Sequence, residues 1–397
     1  MHLVDITMFY AAGGGGVSSY LNAKGRWLAR HTDIRHSIVS PNIRRFRGGA
    51  PARIGVPAMP FPGVHGYRMP LSVQTSLRVV LRLRPDLVEV GDAGHCAWAA
   101  LRARDKLGIP VVAYYHSDLP RLIRRRLGVT AGRAAERYLA GLYRQFDLVM
   151  APSRLMAGQL ADIGITGVVH QPLGIDLGVF RPRGALQGTG RSMNTLRDKL
   201  DLGRDARLLV YAGRCTAEKK IDVLVDAMRL LGPPYHLLLI GGGSTIASTS
   251  TITRMPFCRD QRVLARLLAS CDVLVHPGDC ETFGLIVLEA MACGLPVVAT
   301  GGAVAELVDA SNGLIVKPDS AASLAEGIAA IYQRDLASLG AAGRRKACRN
   351  FDWDLVTPQL LKRYARLLAA DRDIEFDMEG WYASAGRAEY ASRYAVD

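Results

Sequence analysis

The stretch His276-Pro277-Gly278-Asp279-Cys280-Glu281-Thr282-Phe283-Gly284-Leu285-Ile286-Val287-Leu288-Glu289-Ala290-Met291-Ala292-Cys293-Gly294-Leu295-Pro296 has the pattern of a strand end, a turn and a helix start. Gly284 permits close approach of the backbone to a ligand, and the amides after it, at a helix amino end, form an anion site facing the strand's carboxyl edge. Glu281 precedes that helix end, and Glu289 is expected about two helical turns deeper. The two carboxylates therefore reach different parts of one ligand and do not form a close pair. A second segment, Tyr211-Ala212-Gly213-Arg214-Cys215-Thr216-Ala217-Glu218-Lys219-Lys220-Ile221-Asp222, also follows a strand and precedes a helix. Its Arg214 and Lys219 offer fixed cations. Cations so placed stabilise a departing diphosphate more in the transition state, where its charge accumulates, than in the ground state.

Two further elements stand in the first half. Ala12-Gly13-Gly14-Gly15-Gly16-Val17-Ser18 follows the first strand and opens a helix, so its backbone can approach an anion closely. A nicotinamide site would want G-x-G-x-x-G spacing and an acid ending the second strand, whereas this run passes straight into Val17-Ser18-Ser19-Tyr20-Leu21. Tyr114-Tyr115-His116-Ser117-Asp118-Leu119-Pro120 ends a strand, where open α/β sheets carry functional residues, and His116 is its candidate. Next comes the basic amphipathic element Arg121-Leu122-Ile123-Arg124-Arg125-Arg126-Leu127. It is either a solvated helix face or a contact for anionic lipid headgroups, worth about 1 kcal/mol per cationic residue, with Arg44, Arg45 and Arg47 adding to it.

These residues need strands to hold them. Short apolar runs at Met1 to Thr7, Leu87 to Val90, Pro110 to Tyr115 and Leu148 to Ala151 alternate with helical stretches, the rhythm of a parallel sheet. A second series runs through Arg207 to Ala212, His236 to Ile240, Val273 to His276, Pro296 to Ala299 and Leu314 to Val316. Gln171 to Asp205, with its prolines, glycines and polar run, reads as a linker and puts the boundary near residue 180. Ile331 to Ala370 looks helical, with Val356, Leu360, Leu361, Tyr364, Leu367 and Leu368 recurring at three- and four-residue spacing.

A chain of 397 residues fits two domains, and two domains imply a cleft. The net charge of +14 favours anionic partners: nucleic acid, an anionic membrane surface or phosphorylated small molecules. No nucleic-acid-binding signature accompanies it, so nucleic acid ranks last. The seven cysteines are scattered and form no C-x-x-C pair, which indicates neither zinc nor disulfides; most read as small buried hydrophobes. No apolar run of membrane-spanning length is present and Asp5 sits where a secretory signal would be apolar, so a cytoplasmic location, peripheral on the inner face of the membrane, is expected.

On the E-x7-E pair Glu281 and Glu289, with the surrounding E-T-F-G-L and A-C-G-L-P-V-V-A-T matches, the sequence resembles the retaining glycosyltransferases of the GT-B fold, family 4, which include phosphatidylinositol mannosyltransferases and related lipid glycosyltransferases. The resemblance implies an α/β fold of two Rossmann-like domains with parallel sheets facing across a cleft. Residues 1–180 would form the acceptor-side domain and 181–368 the nucleotide-sugar domain, with a terminal helix crossing back. The tail 369–397, with Trp381, Tyr382, Tyr390 and Tyr394, has no counterpart in the family.

By the same resemblance Glu281 approaches hydroxyls of the transferred hexose and Glu289 holds the ribose. The amides of Phe283, Gly284 and Leu285 meet sugar and phosphates. Arg214 and Lys219 match the diphosphate clamp of a G-R-x-x-x-E-K-G element, although Lys220 stands where its glycine would be. Gly15 and Gly16 border the donor phosphate and acceptor site, His116 lies against the sugar ring, and Met255-Pro256-Phe257-Cys258 packs the base through Phe257. The implied reaction is hexose transfer with retained anomeric configuration to a lipid or glycan acceptor, without metal or cofactor. Mannose on guanosine diphosphate is the first choice of donor and a uridine-linked hexose the second. A nucleotide-sugar epimerase or phosphorylase, and a non-catalytic membrane-associated nucleotide-binding protein, are the alternatives.

Overall fold

A computed structural model describes residues 1–10, 14–44, 48–60, 67–182, 184, 196–203, 205–243 and 246–372. They form two compact units: Met1–Gly174 together with the helix beginning at Trp353, and Ile175–Asp352. The 373–397 tail, with its four aromatic residues, lies outside the described residues, as do Arg45 and Arg47.

The first unit is built on a seven-stranded parallel sheet in the order β3-β2-β1-β6-β7-β8-β9. Its strands are β1 (His2–Ile6), β2 (Arg35–Ser40), β3 (Ala52–Gly55), β6 (Leu87–Val90), β7 (Val111–Tyr114), β8 (Leu148–Ala151) and β9 (Val169–His170), while β4 (Ala58–Pro60) and β5 (Arg68–Pro70) form a separate antiparallel hairpin. Helices α1 (Gly16–His31), α2 (Val73–Leu83), α3 (His95–Leu107), α4 (Leu119–Tyr143) and α5 (Arg154–Asp162) connect them, and α4 is broken at Gly128, φ +87°. Central strands β6 and β7 are buried along their whole length, which is why they read as continuous apolar runs instead of alternating ones.

Two carboxylates interrupt that apolar pattern. Asp5 in β1 and Glu89 in β6 face each other in register across neighbouring strands, and both are buried. Lys24 of α1 lies between them, its Nζ 2.6 Å from Asp5 Oδ1 and 3.0 Å from Glu89 Oε1. His36 of β2 bonds the other oxygen of Asp5, and Glu89 accepts from the hydroxyls of Tyr20, at 3.0 Å, and of Tyr364. Burial pushes the Asp5 carboxyl up, but Lys24 and His36 outweigh it and hold it below the usual range. For Glu89 burial prevails over Lys24 and the carboxyl rises to about 7.

The second unit carries a six-stranded parallel sheet, β10 (Arg207–Ala212), β11 (Tyr235–Ile240), β12 (Ile252–Met255), β13 (Val273–His276), β14 (Val297–Thr300) and β15 (Gly313–Val316), ordered β12-β11-β10-β13-β14-β15. Its helices are the short α6 (Leu196–Lys199), then α7 (Ile221–Leu231), α8 (Gln261–Leu268), α9 (Leu285–Ala292), α10 (Ala321–Ile331) and α11 (Leu336–Phe351). Leu209, Leu237, Leu239 and Val275 pack with Leu224 and Met228 of α7 and Ile328 of α10 into one core, each large side chain contributing about 1.5–3 kcal/mol. The chain works outward from β10 in one direction, then starts again at β13 in the other, so the connections diverge at the carboxyl ends of β10 and β13.

The division falls at residues 174/175, slightly before the expected 180. Helix α12 (Trp353–Arg372) belongs with the first unit instead of completing a 181–368 domain, as the crossing-back helix requires. Gly174 leaves room for the Trp353 indole, which a β-carbon would strike at 2.5 Å. Arg363 donates to the Gln171 side chain at 2.9 Å, and Trp27 Nε1 to Asp354 at 2.8 Å. The expected helical stretch from Ile331 is three helices, interrupted where Asp335 caps α11 through the amides of Ala337 and Ser338.

Tryptophans occur only at 27, 98, 353 and 381, outside the second unit, so indole fluorescence reports unfolding of the first unit alone. Followed this way, Lys24→Met should lose roughly 3–5 kcal/mol because two buried carboxylates lose their cation. Tyr364→Phe should lose only about 1.5–3 kcal/mol, one hydrogen bond to a charged group. Equal losses, or a neutral Lys24→Met, would show that the network does not hold this unit together.

Candidate active site

In an open parallel sheet, ligands bind beyond the strand carboxyl ends where the strand order reverses. In the second unit that place lies between β10 and β13, whose next residues are Gly213-Arg214 and Pro277-Gly278. Both expected segments therefore meet there. Lys219 Nζ pairs with Glu281 Oε1, and His276 Nε2 lies 3.2 Å from the same oxygen. Burial pushes the Glu281 carboxyl up, but Lys219 and His276 overcome it and hold it well below the usual range. Arg214 is exposed and forms an ion pair with Glu218 at 3.1 Å.

The turn that delivers Lys219 is made although Lys220 replaces glycine. Lys220 takes the left-handed conformation, φ +53°, at a cost of about 1 kcal/mol, and its ammonium pairs with Asp319. Gly284 is required on two grounds: its φ is +98°, and a β-carbon would sit 2.9 Å from Val304. It starts α9, whose first amides have no intrahelical acceptor. Phe283 is buried with its ring edge-on to Phe351, centroids 5.8 Å apart, so its side chain is committed to packing.

Glu289 is the fifth residue of α9, about one turn in, not the two turns expected. The difference is the Thr282–Gly284 turn, which uses three residues before the helix begins. Glu289 is only 8% exposed, and burial alone pushes its carboxyl up to about 8. Phe257 follows edge strand β12 and is 43% exposed, an open aromatic face at the same carboxyl edge.

Gly15, Gly16 and His116 lie in the first unit, at the carboxyl ends of β1 and β7. Gly14 and Gly15 have φ of +106° and +120°, and Gly16 is the first residue of α1; Ala12 and Gly13 lie outside the described residues. His116 is half-buried, with its ring stacked on Tyr114 at 4.4 Å and tilted against Tyr20 at 5.2 Å. Burial, then the nearby Lys24 ammonium, lower its pKa to about 3. At neutral pH it is an uncharged hydrogen-bonding group.

The sequence reasoning missed His276 and the Asp5, Lys24 and Glu89 network. Each had a signal: a histidine closing an apolar strand five residues before Glu281, and acids at mid-strand in runs otherwise apolar. Four of the seven cysteines are buried, Cys96, Cys215, Cys271 and Cys293, and all are free thiols.

Comparison with known proteins places this geometry. A family model described as "Glycosyltransferase Family 4" matches residues 14–179, and one described as "Glycosyl transferases group 1" matches 206–334. The GDP-mannose-dependent alpha-(1-6)-phosphatidylinositol dimannoside mannosyltransferase of Mycobacterium tuberculosis is 29% identical, covering 94% of this chain and 98% of that protein. The D-inositol 3-phosphate glycosyltransferase of Xylanimonas cellulosilytica is 30% identical, covering 78% of this chain and 81% of that protein. The solved sucrose-phosphate synthase of Thermosynechococcus elongatus, 21% identical, superposes with a TM-score of 0.78 over 93% of this chain and all of that one, which establishes the GT-B fold. With both parallel sheets, the two family models and a relative at 30% identity in agreement, the chain belongs to the GT-B glycosyltransferases of family 4.

Proposed function

We propose that this glycosyltransferase moves a hexose, mannose before any other, from a nucleoside diphosphate sugar to a lipid or lipid-linked glycan acceptor with retention of anomeric configuration. The observation that carries the proposal is the meeting of Lys219 and Glu281 at the switch point beside the Gly284 helix start. A cation and an acid so close suit a ligand whose pyrophosphate and hexose are adjacent. Mannose and guanosine diphosphate are preferred because the Mycobacterium tuberculosis relative, aligned over nearly its whole length, is named for them.

In this reading the acceptor hydroxyl attacks the anomeric carbon on the face that the diphosphate leaves, and its proton passes to the departing phosphate oxygen. Arg214, Lys219 and the α9 amides hold the negative charge that develops. Glu281 orients the hexose through its hydroxyls, and Phe257 supports the base. Gly15, Gly16 and neutral His116 serve the sugar and acceptor side. The mechanism assigns charge stabilisation to these groups and calls on no metal ion or cofactor.

Glu289 accepts the ribose hydroxyls in this scheme. Hydroxyl donors favour the ionised carboxylate, so bound nucleotide relieves a group that burial disfavours.

Peripheral contact with an anionic membrane fits the segment around the α4 break. Arg121, Arg124, Arg125 and Arg126 are followed there by Leu127 and Val129, 72% and 57% exposed. Among the described residues no helix is long and apolar enough to cross a membrane.

Three measurements test the scheme. Arg214→Ala, Lys219→Ala and Glu289→Gln should each lower GDP-mannose turnover at least tenfold, about 1.4 kcal/mol or more, and near-normal turnover removes that residue from the site. Between the ordinary pKa of 4.5 and about 8 the folded chain holds the Glu289 proton that the unfolded chain has lost, so stability falls as pH rises through that window. Glu289→Gln should remove that slope, being more stable than the parent at pH 8.5 by on the order of 1–3 kcal/mol and little different at pH 4.5; the same difference at both would sink the assignment. Flotation with vesicles rich in anionic lipid should recover the chain, neutral vesicles should not, and Arg126→Glu with Leu127→Asp should weaken recovery roughly tenfold.

A further inference from the structure

We propose that His276 is a positioning residue for Glu281, its Nε2–H fixing one carboxylate oxygen so that the other faces the transferred hexose. The inference rests on the assignment of Glu281 to the hexose hydroxyls.

His276 is the last residue of β13 and only 2% exposed. Its Nε2 is 3.2 Å from Glu281 Oε1, while its Nδ1 is buried with no hydrogen-bond partner among the described residues. That asymmetry selects the tautomer. A proton on Nδ1 would be an orphaned buried donor and would leave the Nε2 lone pair against a carboxylate, which only accepts; a proton on Nε2 is satisfied by Oε1. The ring is held by its place in the core: it is carried by the last residue of a fully buried strand, and Gly278 lies alongside both His276 and the Lys219 backbone.

Lys219 and His276 both bond Oε1, and Oε2 accepts nothing from the described residues. The two donors are not equivalent. Lys219 is a mobile point charge on a four-carbon stem, and a diphosphate with its greater charge competes for it. His276 is a rigid, directional donor mounted on a strand. When the ammonium turns to the diphosphate, the imidazole remains to keep Oε2 aimed at the sugar.

The test combines kinetics with a readout that needs no donor. With GDP-mannose as substrate, His276→Phe, which keeps the ring and loses the donor, should lower kcat at least roughly tenfold with KM within about twofold, the mark of a misdirected catalytic group. His276→Gln, which restores an N–H at similar reach, should recover most of the loss. In a Glu281→Gln background His276→Phe should add nothing, because the two act as one unit. In imidazole 15N spectra of the full chain, His276 should appear as the Nε2–H tautomer, and Glu281→Gln should shift it. A kcat unchanged in His276→Phe, an equal loss in both backgrounds, or 15N shifts unmoved by Glu281→Gln overturns the assignment. A chain that turns over no sugar nucleotide but shows the 15N coupling refutes the proposed function and leaves the tie standing.

Discussion

A parallel sheet that is extended in both directions from its middle must send two neighbouring connections to opposite faces, and the strand ends between them are left uncovered. Both sheets of this chain are wound this way, β1 with β6 and β10 with β13 being the diverging pairs. The residues assigned to chemistry stand at the carboxyl edges, on strand ends, the loops that follow them or the first turns of the helices beyond. The rest of the architecture, from the fully buried central strands to the helices that flank them, serves to hold those loops at a fixed spacing.

The two units place their buried acids differently. In the first, the carboxylates of Asp5 and Glu89 share the Lys24 ammonium and take further hydrogen bonds from His36 and two tyrosines. In the second, the carboxyl edge keeps a cost in place: Lys220 is held left-handed, and Glu289 is buried without a cation. Strain and unpaired charge persist only where surrounding structure enforces them, and a buried acid beside a strained turn at a carboxyl edge is the arrangement that a bound ligand would relieve.

Much of this was legible in the sequence. Leu87–Val90, Leu148–Ala151, Arg207–Ala212 and Val273–His276 are strands with the expected bounds, because a strand buried on both faces is an apolar run with turn residues at either end. Lys219 and Glu281 could be paired in advance because their motifs each follow a strand. Strand β2 was harder: Arg35-His36-Ser37 looks like surface, and its burial depends on His36 meeting Asp5, a contact between residues 31 apart. For the same reason the Glu89 environment, which draws on positions 5, 20, 24 and 364, has no local signature. Periodicity did reveal the face of α12, where Val356, Leu360, Leu361, Tyr364 and Leu368 are all buried, but not which unit that face belongs to.

That last helix makes the first unit discontinuous in the chain, while the second is a single uninterrupted segment. Synthesis from the amino end therefore delivers 174 residues of the first unit, then all of the second, before Trp353 and Tyr364 emerge. All the residues of the second unit are thus synthesised in one run, which favours its folding as a unit. The first must wait, with Glu89 lacking one of its hydrogen-bond donors and Trp27 without its partner on Asp354. The first unit is thus completed by the last of the described helices, and a chain cut short before it would carry every described strand and helix of the second unit but lack the Asp354 and Tyr364 contacts of the first.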